Sequence, residues 1–401
     1  MKKAVVLVGA SMRVIAWVRY LLAHAADDYY LAGVMDRSPG KVRGFCEYLG
    51  LDIAVFNDFE TMLGALSPDL AIISTVDGTH ADYVVGALDR KIAVMVEKPL
   101  CINPDQCRAI LAAKRRNPEV PAYTAHNARY SPRAIKLKEL LDKQAIGKIR
   151  SFHYEELLDW RHGTSYFRRW NCHRAESGGL QIHKSSHHFD LLNWLFQSRA
   201  SEVTASGALI AYGGERKTRC HQCELDCPQR FIPDPGTEQI WFKYTDGENY
   251  TPDLCIWSPE IDIEDVFSAG IRFANGVFGS YHLCAHANYE AERIHIEGDA
   301  GRIECEIKLL LRHGGSVHDD QVERVQSLKL HCFGKEPVKV EIPLATGSHG
   351  GADDSIFAAL FNGKNSEQMA TLEDGVQAVL TGCAVTESIK RGEKIDVQSL
   401  L

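Results

Sequence analysis

Residues 4–8 read Ala-Val-Val-Leu-Val, an unbroken apolar run that stops at Gly9, and an amphipathic stretch from about Val14 to Ala25 follows. A run with no polar alternation is a strand covered on both faces. One that turns through a glycine into a helix opens a layered α/β fold. The rhythm continues: Tyr30–Met35, Leu70–Thr75 and Ile92–Val96 are further short apolar runs, with helical patterns at 59–66 and 80–90. Strands that alternate with helices lie side by side in a parallel sheet with helices on both faces.

After about residue 125 the rhythm changes. Ile149–Leu157, Glu202–Ile210, Phe267–Phe273, Val277–His282, Arg293–Glu297 and Gly301–Ile307 read as strands joined by hairpin-type turns such as Ala274-Asn275-Gly276, which predicts a mainly antiparallel sheet. Helical patterns at 131–143, 184–196, 352–362 and 373–390 are expected to cover one face of it. A chain of 401 residues is long enough for two cores. The expected organisation is an α/β domain over 1–125 and an α+β domain with an open sheet over 126–401. An irregular excursion rich in Cys, Pro and Gly interrupts the second at about 212–255.

Charge and hydropathy narrow the function. Lys and Arg number 45 against 53 Asp and Glu, a net charge of −8, whereas a generic binder of nucleic acid or anionic membrane leans the other way. No apolar run reaches the roughly 20 residues of a membrane span, because Arg13, Arg19 and His24 interrupt even the N-terminal stretch. Met1-Lys2-Lys3 followed by an apolar run resembles a signal peptide only briefly, since Gly9 to Arg13 ends the run too early. The expectation is a cytoplasmic enzyme acting on a small molecule.

A dinucleotide site needs glycine where the backbone turns sharply beside a pyrophosphate, which then sits on a helix N-terminus. Gly9-Ala10-Ser11-Met12-Arg13-Val14 keeps only the first glycine of the GxGxxG template, so a strand-turn-helix that binds nothing is the competing reading. Asp36 closes the second strand, where a carboxylate hydrogen-bonds the ribose hydroxyls and repels a 2′-phosphate, favouring NAD. Arg37 directly after it keeps NADP open. Gly9, Ser11, Met12, Asp36 and Arg37 are therefore candidate cofactor contacts, joined by Thr75, His80, Glu97 and Lys98 at the ends of later strands.

Val96-Glu97-Lys98-Pro99-Leu100 places a lysine at the carboxyl edge of the parallel sheet, where open α/β folds bind ligands. With Thr75-Val76-Asp77-Gly78-Thr79-His80 and Asn127-Ala128-Arg129-Tyr130-Ser131-Pro132, the chain resembles the glucose–fructose oxidoreductase / inositol dehydrogenase / rhizopine catabolism (Gfo/Idh/MocA) family over nearly its whole length. The resemblance implies a Rossmann domain at 4–125, an open antiparallel sheet with flanking helices at 126–401, an NAD(P) cofactor, and a homo-oligomer, dimer or tetramer. It also implies that His187 stands at the family's catalytic His and Asp190 at a following Asp, whereas His183 replaces an Asp four residues earlier.

Residues four apart share a helix face, so His183 with His187 and Lys184 with His188 are expected to project together. Four basic groups in six residues repel, which favours neutral imidazoles that accept a proton near pH 7. Oxidation of an alcohol needs a base for its proton and a cation for the developing oxyanion. Lys98 is assigned the cation and His187 the base, with His183 supporting it. Tyr130, Trp160, Arg161, Trp170, Lys184, His188 and His349 are candidates for lining a sugar site, because aromatic faces suit its C–H side and cations its hydroxyls.

Cys220, Cys223 and Cys227 have zinc-ligand spacing, with Cys255 or His221 as a fourth ligand, and three reduced thiols in a loop are the alternative. The function expected is hydride transfer between a sugar, polyol or glycoside hydroxyl and a nicotinamide. Two alternatives stand beside it: a redox-neutral glycoside-cleaving enzyme that holds its nicotinamide, and a non-catalytic dinucleotide sensor, which would have no need of Lys98 and His187.

Overall fold

The computed structural model describes residues 1–244, 250–310, 323–343 and 348–401. Six parallel strands form the first sheet: β1 (Lys3–Val8), β2 (Tyr29–Met35), β3 (Ala54–Phe56), β4 (Leu70–Ile73), β5 (Ala93–Val96) and β6 (Ala122–Thr124). Their order is β6-β5-β4-β1-β2-β3, which puts β1 and its carboxyl end at the centre. Val5 to Val8 are fully buried, as the unbroken apolar run requires. The helix Pro39–Leu49 starts where sequence chemistry says it should: the Ser38 side chain accepts from the Lys41 N–H, Pro39 occupies the first turn, and left-handed Gly50 ends it.

The second sheet comprises β7 (Ile149–Asp159), β8 (Ala200–Ala208), β9 (Val266–Phe273), β10 (Phe278–Ala287), β11 (Glu290–Gly298), β12 (Gly301–Leu310), β13 (Glu323–Cys332) and the short β14 (Val338–Lys339). A two-residue β16 (Ile395–Asp396) completes it in the order β14-β13-β12-β11-β7-β10-β9-β8-β16. Every neighbouring pair is antiparallel except β7 with β10. The remaining strand, β15 (Ala370–Thr371), belongs to the first sheet although it comes late in the chain, and pairs antiparallel to β6. Just before it, the helix Ala352–Asn362 lies on the nucleotide side, with Phe357 against Trp17 at 4.2 Å between ring centroids.

The helices at 132–142, 352–362 and 372–391 fall where the periodicity predicts them. Several elements are not in that pattern, among them β3, β6 and the helix Pro104–Arg116, and two more are instructive. β13 buries little of its length, so its alternation is faint, and Leu328 is its deeply buried apolar residue. The helix Trp160–Arg168 has almost no aliphatic stripe, and is set instead by Asp159, whose side chain accepts from the Arg161 N–H. Its Gly163 is obligatory, because a Cβ there would lie 1.8 Å from the Ala285 carbonyl oxygen of β10.

The predicted helix at 184–196 is a correction. A short turn at Leu180–His183 ends, Lys184 and Ser185 interrupt, and the helix restarts at Ser186 and runs to Phe196. The Leu180 carbonyl accepts from both Lys184 and Ser185, so the chain widens by one residue at that point. His183 and His187 therefore do not stack on one face of a continuous helix.

Candidate active site

Gly9 turns the chain at φ +101°, and a Cβ there would sit 2.4 Å from the Ser74 carbonyl oxygen, so β1 and β4 close on a bare backbone. Beyond it the Ala10 N–H donates to Asp36 Oδ2 at 2.9 Å, and the Ser11 and Ser74 hydroxyls meet at 2.7 Å. Asp36 pairs with Lys41 Nζ at 2.7 Å. Burial alone would raise its pKa, but Lys41 and the Ala10 and Ser38 N–H groups outweigh burial and hold it below the ordinary carboxylate value. Arg37 is exposed.

Two residues expected to touch the cofactor instead brace the scaffold. Glu97 accepts from Arg13 Nε and Trp17 Nε1, both at 2.8 Å. His80 is buried between the Pro99 carbonyl at 2.8 Å and the Thr75 carbonyl at 3.3 Å, and Thr75 itself bonds Thr79. Arg13 then grips Asp353 with two nitrogens, at 2.8 and 2.9 Å, and Asn127 Nδ2 donates to the same carboxylate at 2.7 Å. The turn after β1, the end of β5 and the helix at 352–362 are thereby tied together.

Lys98 projects from this edge, and its ammonium donates to the His183 carbonyl at 2.9 Å. Burial pulls its pKa down to about 8, against the raising effect of Asp77. The His183 ring meets Asp77 at 2.5 Å (Nδ1 to Oδ2) and also contacts Asn171. Burial drives the Asp77 carboxyl up, and burial with Lys98 drives the His183 imidazole down, so the two hold one proton between them. The Trp170 ring stands edge-on to His183 with centroids 5.5 Å apart.

His187 turns the other way, toward His126, with ring centroids at 5.8 Å. Burial, then Lys98, holds its pKa well below the ordinary imidazole value, so the ring is neutral at pH 7. His187 Nδ1 and both ring nitrogens of His126 have no partner, although His126 is only 1% exposed. Buried polar atoms are ordinarily satisfied, so three orphaned imidazole nitrogens beside an ammonium mark a place for an external hydroxyl or amide.

Lys184 and His188 do project together, but toward the sheet. Lys184 Nζ lies 2.9 Å from Glu156 Oε1, and burial raises Glu156 to about 7. His188 Nδ1 donates to the Tyr281 hydroxyl at 2.8 Å, which donates to Ser185 at 2.8 Å. Asp190 clamps Arg129 through two bonds of 2.6 and 2.8 Å, with both side chains buried, and so anchors the helix that carries His187.

The expected sugar-lining set divides. Trp170 and Lys184 border this cluster, whereas Arg161 is paired to Asp159 at 2.9 Å and lies over the Trp160 ring. Tyr130 is a correction: it is 2% exposed in the first-sheet core and its hydroxyl donates to the Asn365 carbonyl at 3.1 Å. The His349 side chain lies outside the described residues.

The zinc expectation finds no support. Cys220, Cys223, Cys227 and Cys255 line one cleft, which Arg168 and Arg216 share. Cys220 Sγ accepts from the Phe231 N–H at 3.1 Å, and His221 is taken by Asp253 at 2.7 Å. Among the described residues no group of three or more His, Cys, Asp or Glu is arranged to hold a metal.

Sequence reasoning missed His126, Asp77 and Glu156. Asp77 lies within a motif quoted above, and its missing signal was a partner 106 residues away; His126 and Glu156 carry no local signature.

Residues 3–124 match the oxidoreductase family's NAD-binding Rossmann fold and residues 138–397 its C-terminal alpha/beta domain. YteT of Bacillus subtilis (strain 168) is 29% identical, with 99% of this chain and 98% of that protein covered. Levoglucosan dehydrogenase of Pseudarthrobacter phenanthrenivorans is 24% identical over 83% of this chain and 81% of its own length. Two solved structures share the fold over 99% of this chain. One is levoglucosan dehydrogenase with NADH and levoglucosan (18% identity, TM-score 0.68, 100% of that chain), the other the WlbA dehydrogenase of Bordetella pertussis with NADH and UDP-GlcNAcA (16% identity, TM-score 0.68, 99% of that chain). No helix among the described residues is long and apolar enough to cross a membrane.

Proposed function

The chain belongs to the Gfo/Idh/MocA oxidoreductase family, and from that premise we propose that it moves hydride between a hydroxyl-bearing carbon of a sugar or polyol and NAD. The observation that carries the reading is the buried convergence of the Lys98 ammonium with the orphaned nitrogens of His187 and His126. The cofactor's residues fit: a glycine turn with no room for a Cβ admits a pyrophosphate, and an anionic Asp36 suits ribose hydroxyls and repels a 2′-phosphate, favouring NAD over NADP. When bound, the nicotinamide supplies the two-electron acceptor or donor.

The chain's own residues handle the proton. His187, neutral at pH 7, takes the hydroxyl proton, and Lys98 stabilises the oxygen as negative charge develops on it. His183 with Asp77 positions Lys98 through the His183 carbonyl, and Asn171 holds the imidazole. Trp170 walls the cleft beside His183.

The test follows nicotinamide absorbance with NAD and with NADP against free sugars, polyols and glycosides. Reduction is expected with NAD, and Lys98→Met is expected to lower kcat/KM by about a thousandfold or more, with NADH affinity kept within about threefold. Undiminished turnover in Lys98→Met and His187→Ala would overturn the assignment.

A further inference from the structure

The excursion between β8 and β9 does not hang free of the molecule. Its helical segment over 235–242 packs onto the helix Pro39–Leu49 of the nucleotide side. Ile240 is 1% exposed and belongs to the core of Trp17, Val42 and Phe45. Gly44 permits the contact, since a Cβ there would lie 2.5 Å from the Gln239 carbonyl oxygen. Glu47 accepts from Gln239 at 2.9 Å and from the Tyr244 hydroxyl at 2.6 Å. At the other end of the segment Gly236 abuts Met12, in the turn after β1.

This packing sets an aromatic ring over the ribose end of the groove. Lys41 Nζ, 2.7 Å from Asp36, lies 4.4 Å from the Trp241 ring centroid. Trp241 in turn contacts Tyr250, with ring centroids at 5.4 Å, and the Tyr250 hydroxyl accepts the Trp170 N–H at 3.1 Å. Trp170 is the ring that stands against His183. A line of contacts thus runs from Asp36 to His183 by way of the Trp170 main chain, all of it beyond Lys41 contributed by the second half of the chain.

We propose that Trp241 is a cofactor-binding residue: it supplies the aromatic wall of the adenosine pocket, with Lys41 fixed between it and Asp36. The proposal rests on the NAD reading above. A π-face accepts a purine by stacking, and a Lys–Asp pair beneath it presents both a donor and an acceptor to ribose hydroxyls. The dinucleotide site is then a joint product of both halves of the chain.

The experiment measures binding rather than turnover. NADH is titrated by nicotinamide fluorescence, ADP-ribose by its displacement of NADH, and reduced nicotinamide mononucleotide, which lacks adenosine, by its own fluorescence. Trp241→Leu keeps apolar bulk against Tyr250 but removes the π-face, and is expected to weaken NADH and ADP-ribose about tenfold while leaving the mononucleotide unchanged. Trp241→Phe is expected to stay within about threefold of the unaltered protein. Equal loss for all three ligands, or loss for none, would overturn the role of Trp241. Failure of the unaltered protein to bind NADH and ADP-ribose would instead overturn the dinucleotide reading on which the proposal stands.

Discussion

At the nucleotide end the groove is shaped by main chain: the turn at Gly9, the Ser74 carbonyl it approaches, and the Ala10 and Ser38 N–H groups that bracket Asp36. At the end proposed for catalysis it is shaped by side chains drawn from distant segments, His183 on Asp77 and Asp190 on Arg129. Main-chain sites depend on a conformation that few residues adopt. Side-chain sites depend on buried polar pairs, each of which fails if one member is lost.

The sharpest way to break this contrast is Asp190→Asn, which takes from buried Arg129 its closer, fully buried anion and leaves it only the more exposed Asp374 at 3.3 Å. It is expected to cost about 3–5 kcal/mol of stability in denaturant melts. A loss under 1 kcal/mol would mean that the helix bearing His187 is held by packing alone. Gly9→Ala forces a Cβ into the Ser74 carbonyl at positive φ. About 1–3 kcal/mol of strain is expected, read as weaker NADH binding and a lower Tm, with the catalytic end unaffected.

The pH profile separates the two ends by chemistry. Lys98, drawn down to about 8, is charged below that pH and neutral above it, so kcat/KM should fall as pH rises through about 8, approaching tenfold per unit. His187, far below its ordinary value, stays neutral and should impose no fall between pH 7 and 8. A rate that climbs through pH 8 would instead make the Lys98 amine the base. The smallest effect is expected for Tyr130→Phe, which forfeits one hydrogen bond to the Asn365 carbonyl, about 1 kcal/mol of stability with kcat and KM unchanged. A rise in KM would return Tyr130 to the substrate site.

The same contrast explains what could be read from the chain. The run at 4–8, Gly9, Asp36 and Lys98 sit in short windows whose pattern carries their geometry, so four strands of the first sheet, its carboxyl edge and the turn after β1 were legible, whereas β3, β6 and β15 were too short to show a pattern. The spacing of His183 and His187 predicted a shared face because a continuous helix was assumed. The bulge at Lys184 and Ser185 forms because Leu180 accepts two bonds, which no local pattern announces. Asp77 and His126 were invisible for a related reason, since each acts through a partner brought near only by folding. The thiols are the opposite case: their spacing is a local pattern, and folding brings Cys255, Arg168 and Arg216 into the same cleft from elsewhere.

The two residues of β15 bear on how the chain emerges from the ribosome. Thr124 and Tyr123 form an edge of the first sheet, and their partners Ala370 and Thr371 are synthesised some 250 residues later, so that edge stays uncovered while nearly all of the second half is made. An open parallel-sheet edge is a template for wrong pairing. Until residues 370 and 371 arrive, the main-chain groups of Tyr123 and Thr124 are the ones a foreign strand would find unpaired on that side of the nucleotide half.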